Sequence, residues 1–509
     1  MQPYGTTHPV VSLRDYQNSV VKDIRQELKN GVRTIIVVLS TGSGKTVIFS
    51  YIAHSGSQKG TKFLIVAHRD ALIKQASAKL RDYGVRHGII MAGYTPTPGA
   101  LAQVASIQTI VRRLKSLRFV PDVIVIDEAH LSAAKSYRLL VDHFPNAKII
   151  GFTGSPCRLD NKPLGIEYGG IFEKMVRGIS MKGLIADGYL LQPVVYAPKL
   201  QLDLSGVKTS KGDYDQEQLA AVVDKPKIIG SAVEHYKEIC NGAPAVAWCV
   251  TVAHATHVAE QFNEAGIKAV MLCGEHKTDY RDKVMGQLSN GEVKVVTFVG
   301  ILVEGVDCPP IAVVILLRPT LSLASYLQVI GRSLRPLYTP GMDLSSREGR
   351  FAAIACSGKT RSTVLDHAGL VWKHGFADDD RDWSLDHEVR RKKKKKTDED
   401  EEIPLRQCPK CYLVHAPAPI CPGCGHVYEL VKQKLDHGEG QLVEVTPEMV
   451  AQNKEILHKE VKQAKSLPDL QRIAAERGYS EKWAQHTFES RKRARDKHIA
   501  NAIAKLHHL

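Results

Sequence analysis

The eight residues Leu39-Ser-Thr-Gly-Ser-Gly-Lys-Thr46 constrain this chain more than any other stretch. They follow an apolar run, Thr34 to Leu39, and precede another, Val47 to Ala53. That is the strand, glycine loop and helix a phosphate-binding loop requires. Thr41, Gly42, Ser43 and Gly44 can turn their backbone N–H groups around phosphate oxygens, with the positive end of the following helix behind them. Lys45 is placed to reach the β- and γ-phosphates of ATP, and the Thr46 hydroxyl to help hold Mg2+.

With 509 residues the chain exceeds one ordinary core, so two to four domains are expected. The formal net charge of +15 points to a polyanionic partner, although it would also suit an anionic membrane surface. No stretch reaches the apolar length needed to span a bilayer, and we expect a soluble, intracellular protein with no membrane partner. Four of the ten cysteines are grouped late in the chain and six are scattered, which argues against a disulfide scaffold.

Upstream of the loop, Val20, Val21, Ile24 and Leu28 continue a helical pattern that presents Gln17, whose amide can pair with an adenine edge. Downstream, the run Lys62 to Ala67 leads to Arg69, and Val104 to Ser106 leads to Gln108 and Thr109. A basic or hydroxyl group where a strand ends is placed for a nucleic-acid phosphate. The apolar run Val123 to Ile126 delivers Asp127-Glu-Ala-His130. Adjacent carboxylates after a buried strand are costly unless a cation or a reaction needs them. Asp127 is the expected Mg2+ partner and Glu128 the group that orients and deprotonates water, with His130 linking the site to a second domain. After Ile149 to Phe152, the hydroxyls of Thr153 and Ser155 are candidates for sensing the nucleotide. Five such runs joined by helical segments predict an α/β fold, a parallel sheet covered on both faces.

A second α/β series is predicted with strands at Ala245 to Cys249, Ala269 to Leu272, Val293 to Phe298, Ala312 to Leu317 and Phe351 to Ala355. It lacks a phosphate loop, which suggests one ATP held between two similar lobes. Gly305 and Asp307 follow one strand, with Asp307 a candidate for ribose or for positioning an arginine. Gln328, Arg332 and Arg335 share a helix face, where arginines can meet a transferring phosphoryl group.

Next comes Arg390-Arg-Lys-Lys-Lys-Lys-Lys396 and then Thr397-Asp-Glu-Asp-Glu-Glu402, blocks of opposite sign that read as a solvated linker or as a grip on phosphate. Cys408, Cys411, Cys421 and Cys424 form two CxxC pairs nine residues apart, the spacing of a structural Zn2+ site, with an iron–sulfur centre the chemical alternative. From Thr446 the chain turns helical, at Glu448 to Leu457, Leu470 to Arg477 and Lys482 to Leu506, and the last helix is basic enough to bind DNA or a protein partner.

In series, Gln17, Gly42-Ser-Gly-Lys-Thr46, Asp127-Glu-Ala-His130, Gly305-Val-Asp307 and Gln328 to Arg335 resemble the superfamily 2 nucleic-acid-dependent ATPases of the DEAD/DEAH-box group. Ala67-His-Arg69, Ala105 to Thr109, Arg318-Pro-Thr320 and Val364 to Gly369 look like bacterial or phage RadD-like DNA repair helicases, as does a zinc ribbon after the motor. The resemblance implies two tandem RecA-like parallel-sheet domains, then a small zinc ribbon and a C-terminal helical domain. It implies that Lys45 and Thr46 bind triphosphate and Mg2+, that Asp127 coordinates Mg2+ and that Glu128 activates water. Arg332 and Arg335 would complete the site, and Arg69 and Thr109 would contact DNA. Thr153-Gly-Ser155 departs from the usual Ser/Thr-Ala-Thr but keeps both hydroxyls.

The expected layout is an ATP-binding domain at 1–187, a connection or small insertion at 188–225, a second RecA-like domain at 226–377, a charged linker at 378–404, the ribbon at 405–430 and a basic helical domain at 431–509. We expect a cytoplasmic protein of a bacterial or phage-infected cell, a monomer on its own. It would be an ATP-dependent motor on single-stranded or branched DNA, with a repair or replication protein as partner of the C-terminal region. RNA helicase activity, and an ATP-switched DNA clamp without processive unwinding, are the alternatives.

Overall fold

A computed structural model describes residues 12–95, 97, 99–158, 161–198, 202, 204, 206–210, 213–224, 226–300, 308–386, 390–391, 406–407, 414–415, 442–464, 466–477 and 483–490. The first lobe is built on seven strands: β1 (Thr34–Val38), β2 (Phe63–Ala67), β3 (His87–Ile90), β4 (Ala102–Ser106), β5 (Val123–Ile126), β6 (Lys148–Thr153) and β7 (Lys174–Arg177). All pair in parallel, in the order β3-β4-β2-β5-β6-β1-β7. Residues alternate between the two faces: Ile35 and Val37 join one apolar cluster while Ile36 joins the other. Both faces are therefore covered, which is why β1 and β2 read as unbroken apolar runs rather than alternating ones. The expected five strands are present. The short β3 and β7 are additional; neither carries the continuous apolar run that marks the central strands.

The second sheet contains β8 (Pro193–Pro198), β9 (Ala245–Trp248), β10 (Ala269–Leu272), β11 (Val295–Phe298), β12 (Val313–Leu316), β13 (Ser362–Asp366) and β14 (Leu442–Glu444). Its order is β10-β11-β9-β12-β13-β8-β14, with only the edge strand β14 antiparallel. Two expectations are corrected here. Phe351 to Ala355 is not a strand but part of the helix Arg347–Cys356. Ser346 caps that helix by accepting the Gly349 N–H at 3.0 Å, and Arg350, Ala353 and Ile354 are buried at helical spacing while Phe351 stays 42% exposed. The strand in that place is β13. Second, the range read as a connection, 188–225, contains β8, which lies between β13 and β14. Prolines at both ends disguised it in the sequence.

The segment after the second lobe is also more ordered than its charge suggested. Arg381 is buried, and its guanidinium donates to the carbonyls of His374, Phe376, Ala377 and Asp379. This fold of the chain around one cation holds the Asp378-Asp379-Asp380 turn in place. Beyond it, Leu385 is only 6% exposed and sits in the first lobe's core with Leu164, Ile171 and Phe172. Arg177 of β7 donates to the Trp383 carbonyl and lies 3.8 Å from Asp382. Residues 376–386 thus form a strap from the second lobe to the first, not a free linker.

Near the C-terminus, Pro447–Gln463 begins at a Thr446 cap with proline in its first turn, and Leu467–Glu476 begins at a Ser466/Asp469 capping box. Leu470, Ile473, Ala474 and Ala484 form a small core against which Trp483 packs. The four grouped cysteines, Tyr479 and most of the last basic helix lie outside the described residues. Cys157, Cys240, Cys249, Cys273, Cys308 and Cys356 are free thiols. Among the described residues no helix is long and apolar enough to cross a membrane.

Emptying the leucine's place in the first lobe tests the strap. Leu385→Ala should destabilise the first lobe by about 2–4 kcal/mol, read as a lower midpoint in thermal or urea unfolding.

Candidate nucleotide site between the lobes

Strand order explains how distant motifs meet. β1, β6 and β5 are neighbours, with Val38 opposite Thr153 and Gly151 opposite Ile126. Their C-terminal ends present the glycine loop, Thr153-Gly-Ser155 and Asp127-Glu128 side by side, the usual place for a ligand in an open α/β sheet.

Gly42 and Gly44 both adopt positive φ, +86° and +83°, and helix Lys45–Ser57 starts at once. A Cβ on Gly44 would lie 2.6 Å from Gln17 Nε2, so only glycine fits. Gln17, 3% exposed, donates to the Ser43 carbonyl at 3.0 Å and accepts the Arg14 N–H at 3.0 Å. Tyr16 donates to the same Ser43 carbonyl at 2.8 Å. The amide expected to read adenine is therefore joined directly to the phosphate loop. Nearby, the Tyr189 ring has the guanidinium of Arg14 and that of Arg350 each 4.1 Å from its centroid. Tyr16 and Tyr189 were not foreseen. Only Tyr16, beside Gln17, left a sequence signal.

The acidic pair is taken out of water. Burial, then the neighbouring Glu128 charge, pushes the Asp127 carboxyl above its usual range. Burial pushes Glu128 the same way, but the charge of Lys45, the hydrogen-bonding contact from His130 and the charge of Arg332 outweigh it and hold Glu128 in its anionic form. Glu128 has left-handed backbone, φ +49°, and its N–H donates to Asp127 Oδ1 at 3.0 Å. Its Oε2 has no full hydrogen bond and faces His130 Nδ1 at 3.3 Å. A buried carboxylate oxygen held only by this long contact keeps acceptor capacity for an attacking water. The Lys45 ammonium lies beside the end of β6, since a Cβ on Gly154 would be 3.6 Å from its Nζ. This donor set fits Mg2+-nucleotide chemistry: the Thr46 hydroxyl and Asp127 would hold the ion, which supplies charge neutralisation at the phosphates.

His130, 2% exposed, joins the two lobes. The Thr153 hydroxyl donates to the Ser155 carbonyl at 3.1 Å, so toward His130 Nδ1, 3.3 Å away, it can only accept. The ring proton is therefore on Nδ1, and Nε2 is the acceptor for the Gln328 amide at 3.4 Å. Gln328 lies in the helix Leu323–Ile330 of the second lobe, which ends at Gly331; Arg332 and Arg335 follow in the turn beyond it, so the three do not share one helix face as the spacing suggested. Just beyond it, a Cβ on Gly331 would sit 2.7 Å from Thr41 Cβ, so the helix end rests on the phosphate loop. Arg332 is buried close enough to stabilise the Glu128 charge, and the Arg335 stem runs beside Gly42. Gly305 and Asp307 lie outside the described residues.

The three candidates for nucleic acid fall on neighbouring strand ends of the first lobe, after β2 and β4. Gln108 donates to the His68 carbonyl at 3.1 Å and accepts from Ser106 at 2.7 Å, which ties the two loops together. Thr109 is half-buried beside it. Arg69 reaches across to the Gly300 carbonyl at 3.4 Å.

Residues 10–158 match the family described as type III restriction enzyme, res subunit, and residues 230–336 match the helicase conserved C-terminal domain. With the two parallel-sheet lobes, these matches place the chain in the superfamily 2 helicase class, of tandem RecA-like fold. Among its relatives, a 51.5 kDa protein of a Lactococcus phage (isolate 7-9) is 28% identical over 390 residues, covering 76% of this chain and 77% of its own length. The ATP-dependent helicase-type protein IRC3 of Saccharomyces cerevisiae is 32% identical over 343 residues, 64% of this chain. The matched region spans 49% of that yeast protein. In fold, a fragment of an HsdR subunit of a type I restriction enzyme from Vibrio vulnificus superposes with a TM-score of 0.54 at 20% identity, covering 73% of this chain and 67% of that one.

Glu128→Gln keeps the shape and removes the candidate base. We expect kcat for ATP hydrolysis to fall by at least about a hundredfold, with binding of a fluorescent ATP analogue retained.

Proposed function

We propose that the chain is an ATP-driven DNA motor that uses hydrolysis between its lobes to translocate on or remodel DNA. The observation that carries this reading is the unbroken path Glu128–His130–Gln328, from the acidic pair of one lobe to the helix of the other that leads into Arg332 and Arg335. In this reading Lys45 and the loop Thr41 to Thr46 bind the triphosphate. Glu128, anionic and aimed by His130, takes a proton from the attacking water at Oε2. Arg332, Arg335 and Lys45 meet the charge that develops on the transferring group, and Gln328 keeps the helix leading into the arginines in register. Gly305 and Asp307 would serve the nucleotide from the second lobe. Movement of that helix would pass through His130, Thr153 and Ser155 to the strand ends carrying Arg69, Gln108 and Thr109, which would hold the DNA backbone.

DNA is favoured over RNA by the restriction-enzyme description of the matching family; the net charge of +15 suits either polyanion. Repair, recombination or replication is the proposed setting, in the cytoplasm, by the likeness to RadD-type helicases. The C-terminal region would recruit a partner.

Steady-state ATPase with no nucleic acid, single-stranded DNA, duplex, forked DNA and RNA decides the substrate. With Lys45→Ala as blank and salt held constant, DNA should stimulate and RNA should not. Stimulation by RNA alone would overturn the DNA assignment.

We further propose that Cys408, Cys411, Cys421 and Cys424 hold a structural zinc, on the strength of their CxxC spacing. Elemental analysis of the purified chain should find a single zinc, lost on Cys→Ser substitution of any pair. Iron in its place, or no metal, would reject the assignment.

A further inference from the structure

Two residues past Ser155 the chain enters a small hairpin, with Cys157 bridged to Pro163 and the Arg158 N–H donating to the Lys162 carbonyl at 2.9 Å. Asn161, whose N–H donates back to the Arg158 carbonyl at 2.9 Å, lies in this turn with φ +63°. Asparagine is one of the few side-chain-bearing residues that accept such a backbone. Its amide leaves the first lobe altogether. Nδ2 donates to the Leu321 carbonyl at 3.0 Å, and Oδ1 accepts the Leu323 N–H at 3.3 Å.

Leu323 is the first residue of the helix that carries Gln328 and leads to Arg332 and Arg335. Its N–H is one of the groups a helix start cannot satisfy internally. Ser322, the helix's own cap, accepts the Ser325 N–H at 3.3 Å and does not serve Leu323. On the other side, Asp213 of the second lobe accepts the Leu321 N–H at 2.7 Å and the Thr320 hydroxyl at 2.8 Å. The second lobe thus presents the 321–323 backbone in a fixed shape, and one amide from the first lobe pairs with it at two points.

We propose that Asn161 is a positioning residue for ATP hydrolysis: it clamps the start of the helix Leu323–Ile330 to the first lobe and so sets where Arg332, two residues past the helix end, stands against Glu128. The inference rests on reading this cleft as the ATPase site. With Gln328 on His130 and Gly331 on Thr41, the clamp makes a third hold of the first lobe on one helix. It also joins that helix to the segment directly following Thr153-Gly-Ser155, giving those hydroxyls a mechanical outlet.

Two variants separate the amide from its backbone. Asn161→Gly keeps the left-handed turn and removes the amide; Asn161→Asp keeps the acceptor for Leu323 and loses the donor to Leu321. Single-turnover hydrolysis should slow by about tenfold to a hundredfold in Asn161→Gly, with Asn161→Asp between it and the wild type. Affinity for a fluorescent ADP analogue should stay within about twofold. Added to Arg332→Ala, Asn161→Gly should cause little further loss, because both act through the same guanidinium. Thermal melts of all variants check folding, and Asn161→Asp alone decides if the glycine variant fails to fold. Wild-type rates in both Asn161 variants, or losses that multiply with Arg332→Ala, would overturn the clamp while leaving the ATPase reading intact. A wild-type chain that does not hydrolyse ATP would overturn both.

Discussion

The architecture depends on keeping Asp127 and Glu128 out of water. Two adjacent carboxylates at the end of an apolar strand repel each other and lose their hydration, an arrangement that is tolerable only if cations come to them. One cation, Lys45, is local: it follows the glycine loop on the strand two places away. Another, Arg332, comes from a different lobe. The protein therefore answers an electrostatic demand inside one domain by docking a second domain against it. His130 makes the same connection through hydrogen bonds, and its ring proton is fixed by the hydroxyl of Thr153.

That demand also explains what could be read without coordinates. The glycine loop and the acidic pair are legible because each requires particular residue types at fixed spacing, and burial on both faces makes their strands continuous apolar runs; the Gln328 to Arg335 segment is legible by residue type, but its helix stops before the arginines. Pro193–Pro198 was hidden because its place in the sheet comes from pairing with Ser362–Asp366, far along the chain. The apolar stretch from Phe351 to Ala355 suits a helix and a strand about equally, and the Ser346 cap decides for the helix. Arg381 and Leu385 sit in a charge-rich stretch whose composition signals solvent, yet one guanidinium shared among four carbonyls gives it a fixed shape. Asn161 left no signal because its partners are main-chain atoms, whose identity does not show in sequence.

The candidate nucleic-acid face follows a different logic. Arg69, Gln108 and Thr109 are brought together because β2 and β4 are adjacent, and Gln108 spends its amide holding the loops to each other. Arg69 already touches the backbone of the second lobe at Gly300. A phosphate arriving there would compete with a carbonyl oxygen for that guanidinium, and a charged acceptor makes the stronger bond. Occupation of this face and the contact between the lobes therefore draw on one side chain.

The strap has a purely mechanical consequence. The chain crosses between the lobes once just after Gly178, whose N–H still donates to the Val38 carbonyl while Leu184 packs in the second lobe's core, and Leu385 fastens it to the first lobe a second time. Two fixed points define a line. Bodies joined along a line can swing about it like a door on two pins but cannot drift apart or twist freely. Any opening of the lobes about that line would carry Arg332 and Arg335 along one arc, once the contacts of Asn161, Gln328 and Arg69 across the cleft had parted.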